Sequence, residues 1–323
     1  MRIVFFGSGE FAIPTFDSIR FDGHEIVTVV SQPDRARGRG KEPKPTPLKE
    51  VATSEGLPVI CPEDVNTPEI VHEIKSHKAD LAYVAAFGQK IGPELLTAFP
   101  VGIVNLHGSL LPAYRGAAPV QWAVIHGDEF TGVTVFRLVE KMDAGPILMQ
   151  RRTGIGPDET ADELHDRLAR IGCDAVRETL KLLESNPAHR GEEQDAARAT
   201  IARKLRKSDG FIRFDTPTIK LSHAICGLWS WPGAQCRFVS ADGKRDELVT
   251  LARAVPYEGR TSPAAAPSDC GVITSMMSVQ TIDGELAVLE IKPAGGKLMS
   301  WQDYVNGRHV QPGDRLVPVD VGC

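Results

Sequence analysis

Between Arg2 and His107 the chain repeats one arrangement: a short apolar run, a turn, a segment with helical spacing, then the next apolar run. The runs are RIVFF, EIVTVVS (25–31), PVIC (58–61), LAYVAAF (81–87) and GIVNLH (102–107). Between them lie EFAIPTFDSI, with Phe11, Ile13, Phe16 and Ile19 apolar, LKEVATSEG (48–56), PEIVHEIKSH and a short helix near 93–98. Continuous apolar runs need cover on both faces, and helical connections lay successive strands parallel. The pattern predicts a doubly wound, mostly parallel α/β sheet. TGVTVFRL and PILMQRRT read as two further strands. Leu164, Leu168 and Ile171 mark one stripe of a long helix from about Ala161 to Leu183.

The texture then changes. SNPAHRGEEQDAARAT (185–200) is polar and turn-rich, as a linker is. AQCRFVS, LVTLARAV, GVITSMMSV and LAVLEIKPA follow, separated by turns such as ADGK and DGE, and predict a small all-β barrel or sandwich. The 323 residues accommodate about two domains of roughly 150 residues. The expected division is 1–185, a linker over 186–205, and a second domain over 206–323.

Several classes of function are disfavoured. The six cysteines show no CxxC or CxxH spacing, so neither a metal site nor a disulfide framework is expected. No apolar stretch approaches the roughly 20 residues of a membrane helix, and the first apolar run is too short for a signal peptide. A cytoplasmic, monomeric protein is expected. Gly7-Ser8-Gly9 follows the first strand, but a dinucleotide fingerprint wants a third glycine where Ala12 stands, and the expected acid is misplaced. The net charge of −5 argues against blanket nucleic-acid binding. Residues 34–49, however, carry six basic and two acidic side chains, just past the C-terminal end of the second strand. That is the edge where open α/β sheets bind ligands, and glycine-flanked arginines suit phosphate.

The segment richest in chemistry is VNLHGSLLPAYRG (104–116). Asn105 and His107 are two apart on a strand and project on the same face. An amide beside an imidazole can hold an oxygen that turns negative in a transition state. Asp143, in the loop KMDAG between two later strands, could orient His107 or take up a proton.

With NLHGSLLP, YRGAAP, TGVTV and MDAGPI together, the chain closely resembles the folate-dependent formyltransferases. The resemblance implies a Rossmann-like formyltransferase domain followed by an OB-like barrel. It also implies Asn105, His107 and Asp143 as the catalytic trio, and 10-formyltetrahydrofolate as co-substrate with no metal. Ser109, Leu110, Leu111 and Pro112 would be the folate segment, with Phe87 and Gly88 in the strand end walling the pterin.

Three features resemble the tRNA-directed members of the family: QPDRARGRGK…PTPLK, the C-terminal barrel, and KPAGGKLMSWQDYVNG…PGDRL (292–316). They imply initiator methionyl-tRNA as the acceptor. Arg39 would reach its acceptor end, supported by Arg35, Arg37 and Lys41, and Lys204, Arg206 and Lys207 of the second domain would add backbone contacts. The pattern NLHGSLLPAYRG is also close to the UDP-amino-sugar members, which remain the alternative.

Overall fold

The apolar runs form the sheet that their spacing predicts. The computed structural model describes residues 1–36, 42–258 and 265–319. Strands β1 (Arg2–Gly7), β2 (Glu25–Val30), β3 (Val59–Ile60), β4 (Leu81–Ala85), β5 (Gly102–His107), β6 (Phe130–Arg137) and β7 (Ile147–Gly154) make one sheet in the order β7-β6-β5-β4-β1-β2-β3. The five first strands run parallel. β6 pairs with β5 antiparallel, because a short return through helix and turn suffices for that connection. Ile3, Val4, Phe5 and Phe6 are wholly buried, as a central strand covered on both faces requires.

Eight α-helices occur among the described residues: α1 (Ile13–Phe21), α2 (Pro47–Ser54), α3 (Pro68–Ser76), α4 (Pro93–Leu96), α5 (Pro119–His126), α6 (Ala161–Ser185), α7 (Thr218–Leu228) and α8 (Trp301–Arg308). None is long and apolar enough to cross a membrane. α2 starts where its sequence says it should: Thr46 accepts a hydrogen bond from the Lys49 amide at 3.3 Å, and Pro47 takes the first helical position. Gly7 ends β1 without a side chain because a Cβ there would stand 2.7 Å from Leu48 and 3.0 Å from the Ala85 carbonyl.

The chain divides into two compact units. The first comprises Met1–Gly116, Gly132–Thr153 and His165–Ile201, and the second Ala117–Thr131, Gly154–Leu164 and Ala202–Cys323. Part of the polar stretch after α6 is tied to the first unit. Arg137 donates to the carbonyls of Pro187 (3.2 Å) and His189 (2.8 Å), and Ile147 exchanges both backbone hydrogen bonds with Glu192. Burial among these carbonyls pushes the Arg137 pKa down. Gly191, at φ +85°, makes the approach possible, since a Cβ would lie 2.5 Å from the Ile147 carbonyl.

In the second unit β8 (Ala234–Val239), β9 (Asp246–Pro256), β10 (Val279–Gln280), β11 (Glu285–Pro293) and β12 (Arg315–Pro318) form an antiparallel sheet in the order β10-β11-β9-β8-β12. Val272 bridges Arg315 on one edge strand and Ile273 bridges Val279 on the other, so the sheet curls into a nearly closed barrel. The expected strand GVITSMMSV is therefore a bridge, a turn and a short strand. Thr274 and Ser278 close the turn at 2.9 Å, and Met277 sits at φ +57°.

The barrel is not purely β. α7 buries Leu221, Ile225 and Leu228, and α8 buries Trp301, Tyr304 and Val305 in the same core. Gly227 lets α7 lie against α5, because a Cβ would stand 2.8 Å from the Ile125 amide nitrogen.

Candidate active site

β5 ends at the ligand-binding edge of the sheet, and its alternation turns Asn105 and His107 to one face. The register sets Asn105 beside Val84 of β4 and Phe136 of β6, and His107 beside Thr134. His107 is 7 % exposed. Its Nε2 lies 2.9 Å from the Tyr114 carbonyl oxygen. A carbonyl can only accept, so Nε2 carries the proton and Nδ1 is the atom left for chemistry. Nδ1 looks across 3.8 Å at Oδ2 of Asp143. Among the described residues nothing hydrogen-bonds the Asn105 amide, and its donors stand free at the same edge.

Asp143 reaches this face from the β6–β7 loop with its backbone at φ +49°. The carboxylate accepts a hydrogen bond from the Gly116 amide at 2.8 Å. Gly145 has no alternative two residues on, because a Cβ would fall 1.8 Å from the Arg137 carbonyl oxygen. The structure thus brings all three residues of the expected trio within one unit, His107 and Asp143 face to face.

The loop after β5 is held by the buried Thr134 and the half-buried Gln150, which the sequence left without a role. Thr134 Oγ1 donates to the Ser109 carbonyl (2.7 Å) and accepts from the Leu111 amide (3.0 Å). Gln150 Nε2 donates to that hydroxyl and to the Leu111 carbonyl, both at 2.9 Å. Thr134 lies within TGVTV, so a signal was present. Ser109 is fully buried and spends its hydroxyl on the Ala113 carbonyl at 2.7 Å. Leu111 is buried too, while Leu110 and Pro112 remain half-buried. Of this segment, Leu110 and Pro112 offer apolar side-chain surface, and Ser109 offers a shaped backbone.

One strand across, Phe87 is buried edge-on against Phe6 with ring centroids 5.3 Å apart, and the neighbouring Gly88 is exposed at φ +86°. Ser8, in the Gly7-Ser8-Gly9 turn, donates to the Phe87 carbonyl at 3.1 Å and accepts from the Gln32 amide at 3.0 Å. It ties together the segments that leave β1, β2 and β4.

The cations fall into two groups. Arg35 is exposed and paired with Glu63 at 2.5 Å. Arg37, Arg39 and Lys41 lie outside the described residues. Lys204, Arg206 and Lys207 are exposed at the start of the barrel unit. Asp209 accepts both Arg203 guanidinium nitrogens (2.8 and 2.7 Å) and the Arg206 amide (2.6 Å). The Arg203 guanidinium beside it holds its carboxyl below the usual carboxylate range.

Residues 1–180 match the family model described as formyl transferase, and residues 204–309 match formyl transferase, C-terminal domain. The chain belongs to the formyl transferase family. The methionyl-tRNA formyltransferase of Heliobacterium modesticaldum is 38% identical over 98% of this chain and 100% of its own. That of Symbiobacterium thermophilum is 39% identical over 98% and 96%. Within the family, then, the chain falls among the methionyl-tRNA formyltransferases. The solved N-formyltransferase from Helicobacter canadensis, in complex with folinic acid and dTDP-3-aminofucose, shares the fold at a TM-score of 0.62. It is 14% identical over 88% of this chain and 98% of its own.

Proposed function

We propose that this chain transfers the formyl group of 10-formyltetrahydrofolate to the α-amine of initiator methionyl-tRNA, acting as a cytoplasmic monomer. The observation that carries the reading is end-to-end similarity to methionyl-tRNA formyltransferases, barrel included, in a chain that sets an amide, an imidazole and a carboxylate at one sheet edge. In this reading residues 1–185 hold the chemistry and 206–323 help to hold the tRNA.

The neutral amine adds to the formyl carbon, and the formyl oxygen gains negative charge. The Asn105 amide donates to that oxygen, and one such donor contributes about 3–4 kcal/mol. His107, protonated on Nδ1 as well as Nε2, supplies a second cation-assisted contact and delivers the Nδ1 proton to N10 as the C–N10 bond breaks. Asp143, directly or through a water, accepts the proton that the amine sheds. One N–C bond forms and one breaks; the amine's proton ends on Asp143, N10 takes the Nδ1 proton of His107, and return of the proton from Asp143 to that Nδ1 resets both groups.

Leu110 and Pro112, with Phe87 and Gly88 one strand away, supply the folate wall over a backbone shaped by Ser109 and Leu111. Arg39, with Arg35, Arg37 and Lys41, meets the acceptor end, and Lys204, Arg206 and Lys207 meet the phosphate backbone. Charged initiator methionyl-tRNA and UDP-amino-arabinose, offered in parallel with 10-formyltetrahydrofolate, test the reading. Formylated methionyl-tRNA is the expected product, and sugar product alone would overturn it.

A further inference from the structure

In the run Glu192 to Arg198 every residue is exposed except Gln194. Its carboxamide is fully engaged. Nε2 donates to the carbonyls of Asp143 (2.9 Å) and Gly145 (2.7 Å), bracketing the turn that carries the carboxylate. Oε1 accepts from Nε (3.1 Å) and Nη2 (2.7 Å) of Arg115, itself 6 % exposed. The Arg115 amide is anchored in turn on the Thr200 carbonyl at 2.8 Å.

The clamp acts on the backbone of Asp143. At φ +49° that residue occupies a conformation that residues other than glycine rarely adopt, at the third position of a turn that the Ala144 amide closes on the Lys141 carbonyl at 3.3 Å. Released to an ordinary backbone geometry, the carboxylate would leave the Gly116 amide and swing away from His107. Only a carboxamide fits the clamp. A carboxylate could meet Arg115 but could not donate to two carbonyls, and an apolar chain could do neither. The Glu192–Ile147 pairing delivers Gln194 to this place.

We infer that Gln194 is a positioning residue for formyl transfer, holding Asp143 in the left-handed conformation that aims its carboxylate at His107. The inference rests on the function proposed above. Its test compares the full chain with Gln194→Met, Gln194→Glu, Asp143→Ala and the double variant Asp143→Ala/Gln194→Met. Steady-state formylation is measured, and the His107 ring nitrogens are followed by 15N NMR.

Gln194→Met should lose about ten- to a hundred-fold in kcat, as misplacement of a reacting group does, with both KM values within about two-fold. Added to Asp143→Ala, it should cost less than about two-fold more, because the two act through one carboxylate. The His107 resonances of Gln194→Met should move toward those of Asp143→Ala. A kcat within two-fold of the parent, losses that multiply in the double variant, or unmoved resonances would each overturn the inference. Gln194→Glu keeps the acceptor for Arg115, carries the same expectations, and replaces Gln194→Met if that variant does not fold. Should the unsubstituted chain formylate no methionyl-tRNA, the proposed function fails, while the substrate-free NMR comparison still decides the role of Gln194.

Discussion

The indole N–H of Trp122 donates to the Arg203 carbonyl at 2.8 Å, while the Arg203 guanidinium lies 4.9 Å from the centroid of the same ring. With Asp209 accepting from the guanidinium and from the Arg206 amide, the backbone from 203 to 209 is fixed at several points. The side chains of Lys204, Arg206 and Lys207 then project from a rigid support rather than from a loose connection.

Trp122→Phe keeps an aromatic ring at this place but removes the N–H together with the five-membered ring of the indole. Loss of one hydrogen bond, about 1 kcal/mol net, should raise the KM for methionyl-tRNA by about five-fold if the support matters for docking. The kcat and the KM for the folate should stay at parental values. Steady-state kinetics with each substrate varied in turn reads both.

Removal of the projecting charges should change the salt dependence more than the chemistry. Each cation withdrawn from a phosphate lowers the slope of log affinity against log salt by about 0.7–0.9. Lys204→Gln/Arg206→Gln/Lys207→Gln should therefore flatten the slope by about two to three units when tRNA binding is titrated in rising salt. An unchanged slope would assign these side chains to solvent.

Asp209 makes stability depend on pH in a defined direction. Its folded pKa is lowered, first by the hydrogen bonds from Arg203. Such a group contributes stability above its ordinary pKa, near 4, and the contribution is lost as pH falls through the lowered value. Asp209→Asn should melt below the parent at neutral pH, and the gap should narrow below about pH 4. Thermal melts across that range would show it.

Asn105→Ala removes the only donor of the trio that no protein group engages among the described residues. Deleting one oxyanion donor costs about 10²–10³ in kcat. Substrate binding should be nearly unaffected and the melting temperature should hold, because among the described residues the side chain makes no hydrogen bond that supports the fold. Single-turnover formylation at saturating folate is the direct measurement.

Asn105 and His107 were legible because the relation between them is local: two residues on one strand share a face whatever the rest of the chain does. Gln194 was not, since its role needs Arg115 and Asp143, 79 and 51 residues distant, to converge on a stretch whose composition reads as linker. The helix Thr218–Leu228 escaped for a different reason. It buries Thr218 and Ser222 along with Leu221, Ile225, Cys226 and Leu228, while apolar Ile219 is exposed beside Lys220, so polar and apolar residues do not sort into a clean helical stripe. GVITSMMSV has the alternation of a strand, but Met277 at φ +57° turns the chain back after Ile273. The parallel strands of the first unit were read with few errors because a run buried on both faces leaves a pattern that no turn can imitate.

Because α5 lies in the first half of the sequence yet is covered by α7 of the barrel unit, the barrel is not a detachable cassette. Ala118, Trp122 and Ile125 of that region share the barrel's apolar core. A hybrid of two relatives joined within 186–205 would seat one parent's α7 on the other parent's α5, at a contact as close as Gly227 on Ile125. A graft that folds must carry Ala117–Thr131 and Gly154–Leu164 along with everything from Ala202 onward.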